Sequence, residues 1–333
     1  MHRPNVVGGI AAVGLLGFLA QAHADHPTIA FGSEAGGPIG TIPTAPLPVG
    51  TWSAGFRTEI VNFDRFSDSE LAGFAAAGEE DVHSVDELLN ASVSLAYGVT
   101  DDLTLSARLP YVDRQNIRAG EIEDGEPEAH DHGDSDGIGD LSVLAQYRFY
   151  SRQTVHASVI GGIKAPTGKT DVKDGGEKLE TEFQPGTGSW DWLFGASASI
   201  NAGRIGLHGN VLYDLTTEGS QNTEIGDAFF YNLGAVYSLS SGEGEAHHGH
   251  DHSHLKWDIM LELNGEYREK NEIDGENEDN SGGDVIFLSP GIRVSSSDKW
   301  SLFLSVGKSI YDDFNGRQTD VDYRLVGGFG FAF

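Results

Sequence analysis

Residues 255–268 read LKWDIMLELNGEYR, and this stretch decides the fold. Its odd positions are apolar, with one glycine among them, whereas its even positions are polar or charged, with one methionine. A period of two indicates a β-strand with one apolar face and one polar face, not an amphipathic helix. The same alternation recurs at 141–149, at 205–214 and at 322–333, so strands are predicted along much of the chain.

Strand length and connection pattern favour a membrane barrel over a soluble sandwich. Strands of globular proteins usually have about 5–6 residues, and membrane-spanning strands need about 9–11. The alternation predicts twelve longer strands, at 51–63, 88–100, 103–113, 138–150, 154–164, 188–200, 203–215, 227–239, 255–269, 284–296, 299–311 and 320–333. Short turns alternate with long polar loops, which are 64–87, 114–137, 165–187, 216–226, 270–283 and 312–319. The prediction is an all-β, antiparallel up-and-down transmembrane β-barrel of about 12 strands, with short periplasmic turns and long external loops.

The N-terminal region predicts export. Residues 6–20 carry no charge, and Ala22-His23-Ala24 follows them as a small-x-small cleavage pattern. A cleavable signal peptide is therefore expected at 1–24, with the barrel at 50–333. The proline-rich residues 25–49 are expected to form either a periplasmic extension or a plug in the lumen. The predicted location is the outer membrane of a Gram-negative bacterium.

Composition excludes several classes of protein. The chain has 51 acidic and 21 basic residues, a formal charge of −30, so a nucleic-acid partner is not expected. It has no cysteine, which excludes disulfide scaffolds and cysteine-ligated metals. No GxSxG or comparable nucleophile motif occurs, so the chain is predicted not to be an enzyme.

Six short phrases, in order along the chain, carry a resemblance to a known family. They are GIGDL at 137–141, IKAPTG at 163–168, GTGSWD at 186–191, GDAF at 226–229, SPGI at 289–292 and DYRL at 322–325. The chain resembles the phenol-degradation meta-pathway ("MetA-pathway") family of outer-membrane β-barrel transporters. The resemblance implies a channel or transporter linked to the breakdown of aromatic compounds, and it implies no catalytic residues.

Polar side chains on the strands are expected to line the lumen. A barrel of eight strands is filled by side chains and one of 16–18 is an open channel, so twelve predicts selective passage or a gate. Rows of positive and negative side chains would favour or exclude a solute according to its charge. The candidates are Arg57, Glu59, Arg108, Arg148, Lys164, His208, Asp214, Glu262, Glu266, Arg268, Arg293 and Arg324.

The predicted function is an outer-membrane channel or transporter for small solutes, with aromatic or hydrophobic compounds as candidates. The expected partners are the solute, outer-membrane lipid and the barrel-assembly machinery. Passage requires no cofactor.

Two histidine clusters support an alternative, a metal-handling outer-membrane protein. Neutral imidazoles bind Zn²⁺, Cu²⁺ and Ni²⁺ well. The first cluster is in the connection between strands eight and nine, at His247, His248, His250, His252 and His254. The second, in an external loop, is His130, His132, Asp134 and Asp136, and it imitates the start of an EF-hand. Its first position lacks the Asp and its twelfth position lacks the Glu of a Ca²⁺ loop, so a loose cation-attracting loop is expected instead.

Overall fold

The computed structural model describes residues 37–79, 82–239, 255–296 and 299–333 of the chain. Twelve long strands in these ranges belong to a single antiparallel sheet. Their bounds are β1 Trp52–Asp64, β2 Glu87–Thr100, β3 Leu103–Glu123, β4 Leu141–Arg152, β5 Val155–Ala165, β6 Asp191–Ala202, β7 Ile205–Leu215, β8 Ala228–Ser238, β9 Leu255–Arg268, β10 Gly283–Ser296, β11 Trp300–Phe314 and β12 Asp320–Ala332. No helix in the same ranges has the length and hydropathy needed to cross a bilayer.

The sheet closes on itself. Each of the twelve strands pairs with its neighbour along the chain, and β1 pairs with β12 in a register that places Ser53 opposite Ala332. A closed sheet has no edge strand, so its backbone groups are paired within the barrel, as a bilayer requires. The predicted up-and-down barrel of twelve strands is confirmed.

Apolar side chains cover the outside of the barrel. In β9 the side chains of Trp257, Ile259, Leu261 and Leu263 are each 40–50% exposed, whereas the even-numbered positions from 258 onward are buried. A continuous apolar surface of this kind is unfavourable in water and favourable in a bilayer core. The alternation read from the sequence therefore separates a lipid face from a lumen face.

The two ends of the barrel differ. At the short-turn end, two-residue turns at 101–102, 153–154 and 203–204 connect the strands. At the long-loop end, β3 continues past its predicted end at residue 113 and pairs with a return strand, Glu126–Ile138. The loop predicted at 114–137 is thus a β-hairpin, and we call residues 114–138 the long hairpin.

A short helix packs against the long hairpin. Helix α1, Asp68–Ala77, begins with a capping box in which Ser67 and Glu70 bond each other's backbone N–H groups, and it ends at Gly78 in the left-handed conformation. Its buried Leu71 lies against Gly120 of the hairpin, where an added Cβ would come within 2.3 Å of the Leu71 carbonyl oxygen. The remaining short elements of the long-loop end are strands His83–Ser84, Lys173–Asp174, Glu177–Lys178, Thr223–Glu224, Glu272–Ile273 and Glu276–Asn277, and 3₁₀ turns Thr181–Phe183 and Ser220–Asn222.

Candidate functional site

The structure places all twelve predicted lumen residues on the inner face of the barrel. Nine of them are at most 7% exposed, namely Arg57, Glu59, Arg108, Asp214, Glu262, Glu266, Arg268, Arg293 and Arg324. Arg148, Lys164 and His208 are half-buried. A barrel interior this rich in charge must pair its charges or bind them to backbone groups, because unpaired buried charges are costly.

Residues 37–48 lie inside the barrel, and we call them the lumen segment. The N–H of Leu47 donates to Thr104 Oγ1 of β3 at 2.8 Å, and the N–H of Ile42 donates to Asn210 Oδ1 of β7 at 2.9 Å. The segment therefore contacts well-separated strands of the wall. Further hydrogen bonds join Thr44 to Ser158 and Ser199, and Pro43 to Gln146 and Ser197. The predicted signal peptide and residues 25–36 lie outside the described residues.

Glu262 of β9 binds the backbone of residues 39–41 in the lumen segment. Its Oε1 accepts a hydrogen bond from the N–H of Ile39 at 2.7 Å, and its Oε2 accepts from the N–H and hydroxyl of Thr41 at 2.9 and 2.8 Å. The N–H of Gly40 reaches both oxygens, at 3.1 and 3.0 Å. Hydrogen bonds to an ionised acceptor are about twice as strong as neutral ones. One carboxylate thus satisfies three successive backbone N–H groups.

Two arginines of the wall bind the carbonyl groups of the same segment. Arg57 Nη1 of β1 donates to the carbonyl of Ile39 at 2.9 Å. Arg293 of β10 donates to the carbonyls of Gly37 and Pro38, the latter at 3.4 Å. The backbone of the lumen segment is therefore bound by wall charges of both signs.

Two isoleucines of the lumen segment pack into apolar patches of the wall. Ile39 and Ile42 are almost fully buried, and burying such a side chain contributes about 1.5–3 kcal/mol. Ile39 packs with Met260, Phe303 and Val326, and Ile42 packs with Leu144, Ile160, Leu193, Leu212, Ala228 and Phe230. The apolar inner positions of the wall thus form a binding surface for this segment.

A cavity of about 650 Å³ lies between the lumen segment and the short-turn end. This volume is within the range of about 300–1,000 Å³ that is usual for small-molecule sites. Its wall combines apolar and basic side chains, among them Pro43, Pro46, Leu47, Leu144, Ile160, Arg57, Arg108 and Arg148. The lumen is therefore wide enough here to hold a small organic molecule.

On the other side of the lumen segment, acidic and basic wall residues neutralise each other. The pairs are Glu59 with Arg324 (3.7 Å), Glu266 with Arg268 (3.1 Å), and Lys164 with both Asp191 and Asp214. The cavity at this level has a volume of only about 90 Å³. Close side-chain rows of both signs create a field across the passage, as charged rings do in pores.

Loops pack over the long-loop end around an apolar cluster that includes Phe183. The Phe183 carbonyl accepts hydrogen bonds from Ser135 Oγ at 2.6 Å and from Arg114 Nη1 at 3.4 Å. These bonds hold the loop to both strands of the long hairpin. We call Phe183, Leu179 and the buried side chains around them the cap; its other members are Val61, Phe63, Val85, Leu88, Val112, Ile117, Val285, Phe287, Phe314 and Val321.

The structure brings two of the predicted metal ligands together outside the barrel. The rings of His130 and His132 lie 4.7 Å apart, and both face Asp174, a residue that the sequence analysis did not select. Hydrogen bonds with Asp174 and Glu123 raise the pKa of His130 above its ordinary value. The carboxylate of Asp174 has its pKa lowered by His130 and His132.

The other predicted ligands do not join this cluster. Asp134 Oδ1 accepts a hydrogen bond from the N–H of Asn116 at 2.8 Å, and Asp136 Oδ2 accepts one from the Tyr111 hydroxyl at 2.6 Å. Asp134 therefore binds within the long hairpin, and Asp136 binds a tyrosine of β3 just before it. His247, His248, His250, His252 and His254 lie outside the described residues, so metal binding by these five histidines stays a prediction.

Comparisons with known proteins place the chain among outer-membrane barrels in fold. The family model described as "Putative MetA-pathway of phenol degradation" matches residues 63–319. A comparison with curated proteins gives no match. The fold is similar to that of the COG4313 outer membrane channel from Pseudomonas putida F1, with 17% identity, a TM-score of 0.60, and coverage of 87% of this chain and 98% of that one.

Two further solved structures are more distant. The KdgM porin has 9% identity and a TM-score of 0.38, covering 84% of this chain and 99% of its own. The TodX deltaS2S3 mutant monoaromatic hydrocarbon channel has 8% identity and a TM-score of 0.42, covering 86% and 91%.

Proposed function

Because the chain belongs to the family described as "Putative MetA-pathway of phenol degradation", we propose that it is an outer-membrane channel for small solutes, with aromatic and hydrophobic compounds as its substrates. The short-turn end then faces the periplasm and the long-loop end faces the outside. This location presumes export by the predicted signal peptide and insertion by the barrel-assembly machinery. Diffusion of a solute through the lumen needs no cofactor, and that the chain is not an enzyme stays a prediction.

The cavity of about 650 Å³ is the observation that carries this proposal. Proline, leucine and isoleucine side chains offer an apolar surface to a small ring, while Arg57, Arg108 and Arg148 stand in the same wall. Arginine binds the face of an aromatic ring by a cation–π contact and binds a carboxylate by paired hydrogen bonds. An aromatic solute with one polar or anionic substituent suits this combination.

The lumen segment acts in this proposal as a plug that must move for a solute to pass. Its support is the set of contacts that Glu262, Arg57 and Arg293 make with its backbone, at positions where a passing solute would otherwise contact the wall. The 90 Å³ cavity beyond it is too small for a substituted benzene ring. In this proposal the described conformation is the closed state.

The test is solute flux into proteoliposomes, measured for phenol, benzoate and glucose with the folded barrel of residues 25–333. We expect phenol and benzoate to enter faster than glucose, because glucose gains little from an apolar wall. Glu262→Gln removes the charge that binds the plug and should raise the flux of all three solutes. Glu276→Gln, a matched change on the exposed strand Glu276–Asn277, should leave flux unchanged.

Two results would contradict the proposal. Equal entry of glucose and the aromatic solutes would remove the assigned substrate class. Unchanged flux in the Glu262→Gln variant would show that the lumen segment is not a plug. A heat-dependent shift on gels would verify that this variant is folded.

A further inference from the structure

Five side chains converge where the long hairpin meets the loop strand Lys173–Asp174. His130 Nε2 lies 3.0 Å from Asp174 Oδ2, and His132 Nδ1 lies 3.2 Å from the same oxygen. Glu121 and Glu123 of the hairpin lie on the far side of the two rings. Neither the lumen nor the cap includes this cluster, so channel function does not account for it.

Two of the three distances between the ligand atoms are close to the edges of a tetrahedral metal site. Zn²⁺ bonds to histidine nitrogen and carboxylate oxygen are about 2.0–2.1 Å long, which places neighbouring ligand atoms about 3.3 Å apart. The two nitrogen–oxygen distances, 3.0 and 3.2 Å, are close to that value. Each of the three residues offers one ligand atom, and these atoms all lie within 4.8 Å of one another.

The two glutamates complete the pattern of a metal-bound histidine pair. His130 Nδ1 contacts Glu123 Oε1, and His132 Nε2 lies 3.4 Å from Glu121 Oε1. Histidine ligands commonly donate their second N–H to a carboxylate, which fixes the ring and leaves the other nitrogen free to bind the metal. Here that arrangement turns both remaining nitrogens toward Asp174.

We propose that His130, His132 and Asp174 bind one divalent transition-metal ion, of the Zn²⁺, Ni²⁺ or Cu²⁺ class, with Glu121 and Glu123 as positioning residues. Two imidazoles favour these ions over Ca²⁺ and Mg²⁺, which prefer oxygen ligands. The strongly acidic chain raises the local concentration of cations near its surface.

The ion would join two separate parts of the long-loop end. His130 and His132 belong to the long hairpin, whereas Asp174 precedes Phe183 in the loop that supplies the cap. A metal bound between them therefore restrains the loop on which the cap depends. This role is structural and independent of which solute the channel carries.

The first test is Zn²⁺ titration by calorimetry of a barrel in which the five histidines of 247–254 are replaced by Asn, which removes their binding. We expect one Zn²⁺ per barrel. His130→Asn with His132→Asn should abolish it, and Glu123→Ala should weaken it about 10–100-fold. Asp134→Asn with Asp136→Asn is the matched control on the same hairpin. It should bind Zn²⁺ as tightly as the barrel in which only the five histidines are replaced.

The second test is cleavage by trypsin with and without Zn²⁺. It uses the unchanged barrel, so it does not depend on whether a variant folds. Zn²⁺ should slow cleavage after Lys173 and Lys178, which flank Asp174, and leave cleavage after Lys270 unchanged. Absence of one-site Zn²⁺ binding would overturn the proposal. Binding that survives the histidine double variant, or equal slowing at Lys270, would overturn it as well.

Discussion

At the scale of single residues, Glu262 illustrates what alternation predicts and what it leaves open. Side chains two positions apart in a strand share a face, so the sequence predicts that Glu262 points into the lumen. Its partner Thr41 is separated from it by 221 residues along the chain. The lumen segment has no alternation of its own, and so nothing in its sequence indicates which wall residue it meets.

Gly40 allows the close approach of the lumen segment to Glu262. An added Cβ would lie 2.6 Å from Asn264 Nδ2. Hydrogen bonds to Asn232 and Arg324 hold the Asn264 amide in place, so Gly40→Ala should displace residues 39–41 of the lumen segment instead. Losing one hydrogen bond to a charged group costs about 1.5–3 kcal/mol, which shifts the balance between bound and released segment by about tenfold or more. Single-channel recording should show a higher open probability.

The control for this prediction is Gly73→Ala in helix α1. A Cβ at that position meets no atom within 4 Å, and alanine favours a helix. Its recordings should match those of the unchanged barrel, and equal recordings for Gly40→Ala would argue against a segment that blocks the lumen.

The histidine cluster shows where simple strand parity fails. Residues 130, 132, 134 and 136 would share one face of an unbroken strand. In the structure, however, Asp134 and Asp136 do not lie with His130 and His132. Gly133 has a positive φ of 76°, and the register of the long hairpin shifts beside it. A bulge of this kind moves the following side chains to the other face. Asp174 could not be predicted, because a loop elsewhere in the chain supplies it.

At the scale of elements, the barrel strands were predictable and the long hairpin was not. Lipid outside and polar lumen inside impose alternation on every spanning strand, and all twelve predicted strands occur in the described structure. Beyond residue 113, β3 is mainly polar, as in the run DRQNIR at 113–118. Its buried positions there are Arg114, Ile117 and Ala119, and the irregularity at Asn116 shifts them from even to odd numbers. No apolar period of two can therefore be read from the sequence.

Helix α1 did carry a sequence signal, because Ser67 and Glu70 have the spacing of a capping box. Ser67→Ala should destabilise the start of the helix by about 1 kcal/mol. Amide hydrogen exchange in the first turn should then be about five times faster. Ser69→Ala leaves both capping-box bonds in place, so exchange in this variant should be unchanged. Exchange in the barrel strands should also be unchanged in both variants. If Ser67→Ala does not speed exchange, packing on Gly120 alone holds the helix.

At the scale of the whole molecule, the lumen is narrowed at two levels. The cap narrows the long-loop end, and the lumen segment occupies part of the middle, with the paired charges between them. Twelve strands predicted a gate in general terms. The sequence offered residues 25–49 as a plug only beside the alternative of a periplasmic extension, and it gave no indication of the cap. Loops and extended segments have no period that reports burial.

Two barriers in series predict a combined effect. Phe183→Ala deletes the centre of the cap, and such truncations of buried aromatics cost about 3–5 kcal/mol. We expect it to raise conductance only slightly, because the lumen segment still blocks the passage. Combined with Gly40→Ala, it should raise conductance by more than the sum of the two single changes, measured in planar bilayers.

The control for the cap is Phe149→Ala, which removes an aromatic side chain from the lipid face, where Phe149 is 58% exposed. It should leave conductance unchanged in either background. Full conductance from Phe183→Ala alone would show that the lumen segment is no barrier.

The attachment of the lumen segment has a further consequence. After Pro48 the chain needs only three residues to reach β1, and Gly50 and Thr51 are bonded at the rim, to Gly98 and Pro48 respectively. A ligand tethered by so short a linker competes for its site at an effective concentration in the millimolar range. In the proposed channel, the lumen segment would therefore compete with a solute at the same effective concentration, whatever the abundance of the protein in the membrane. A solute displaces the segment only if its concentration, relative to its affinity for the wall, outweighs the effective concentration of the segment.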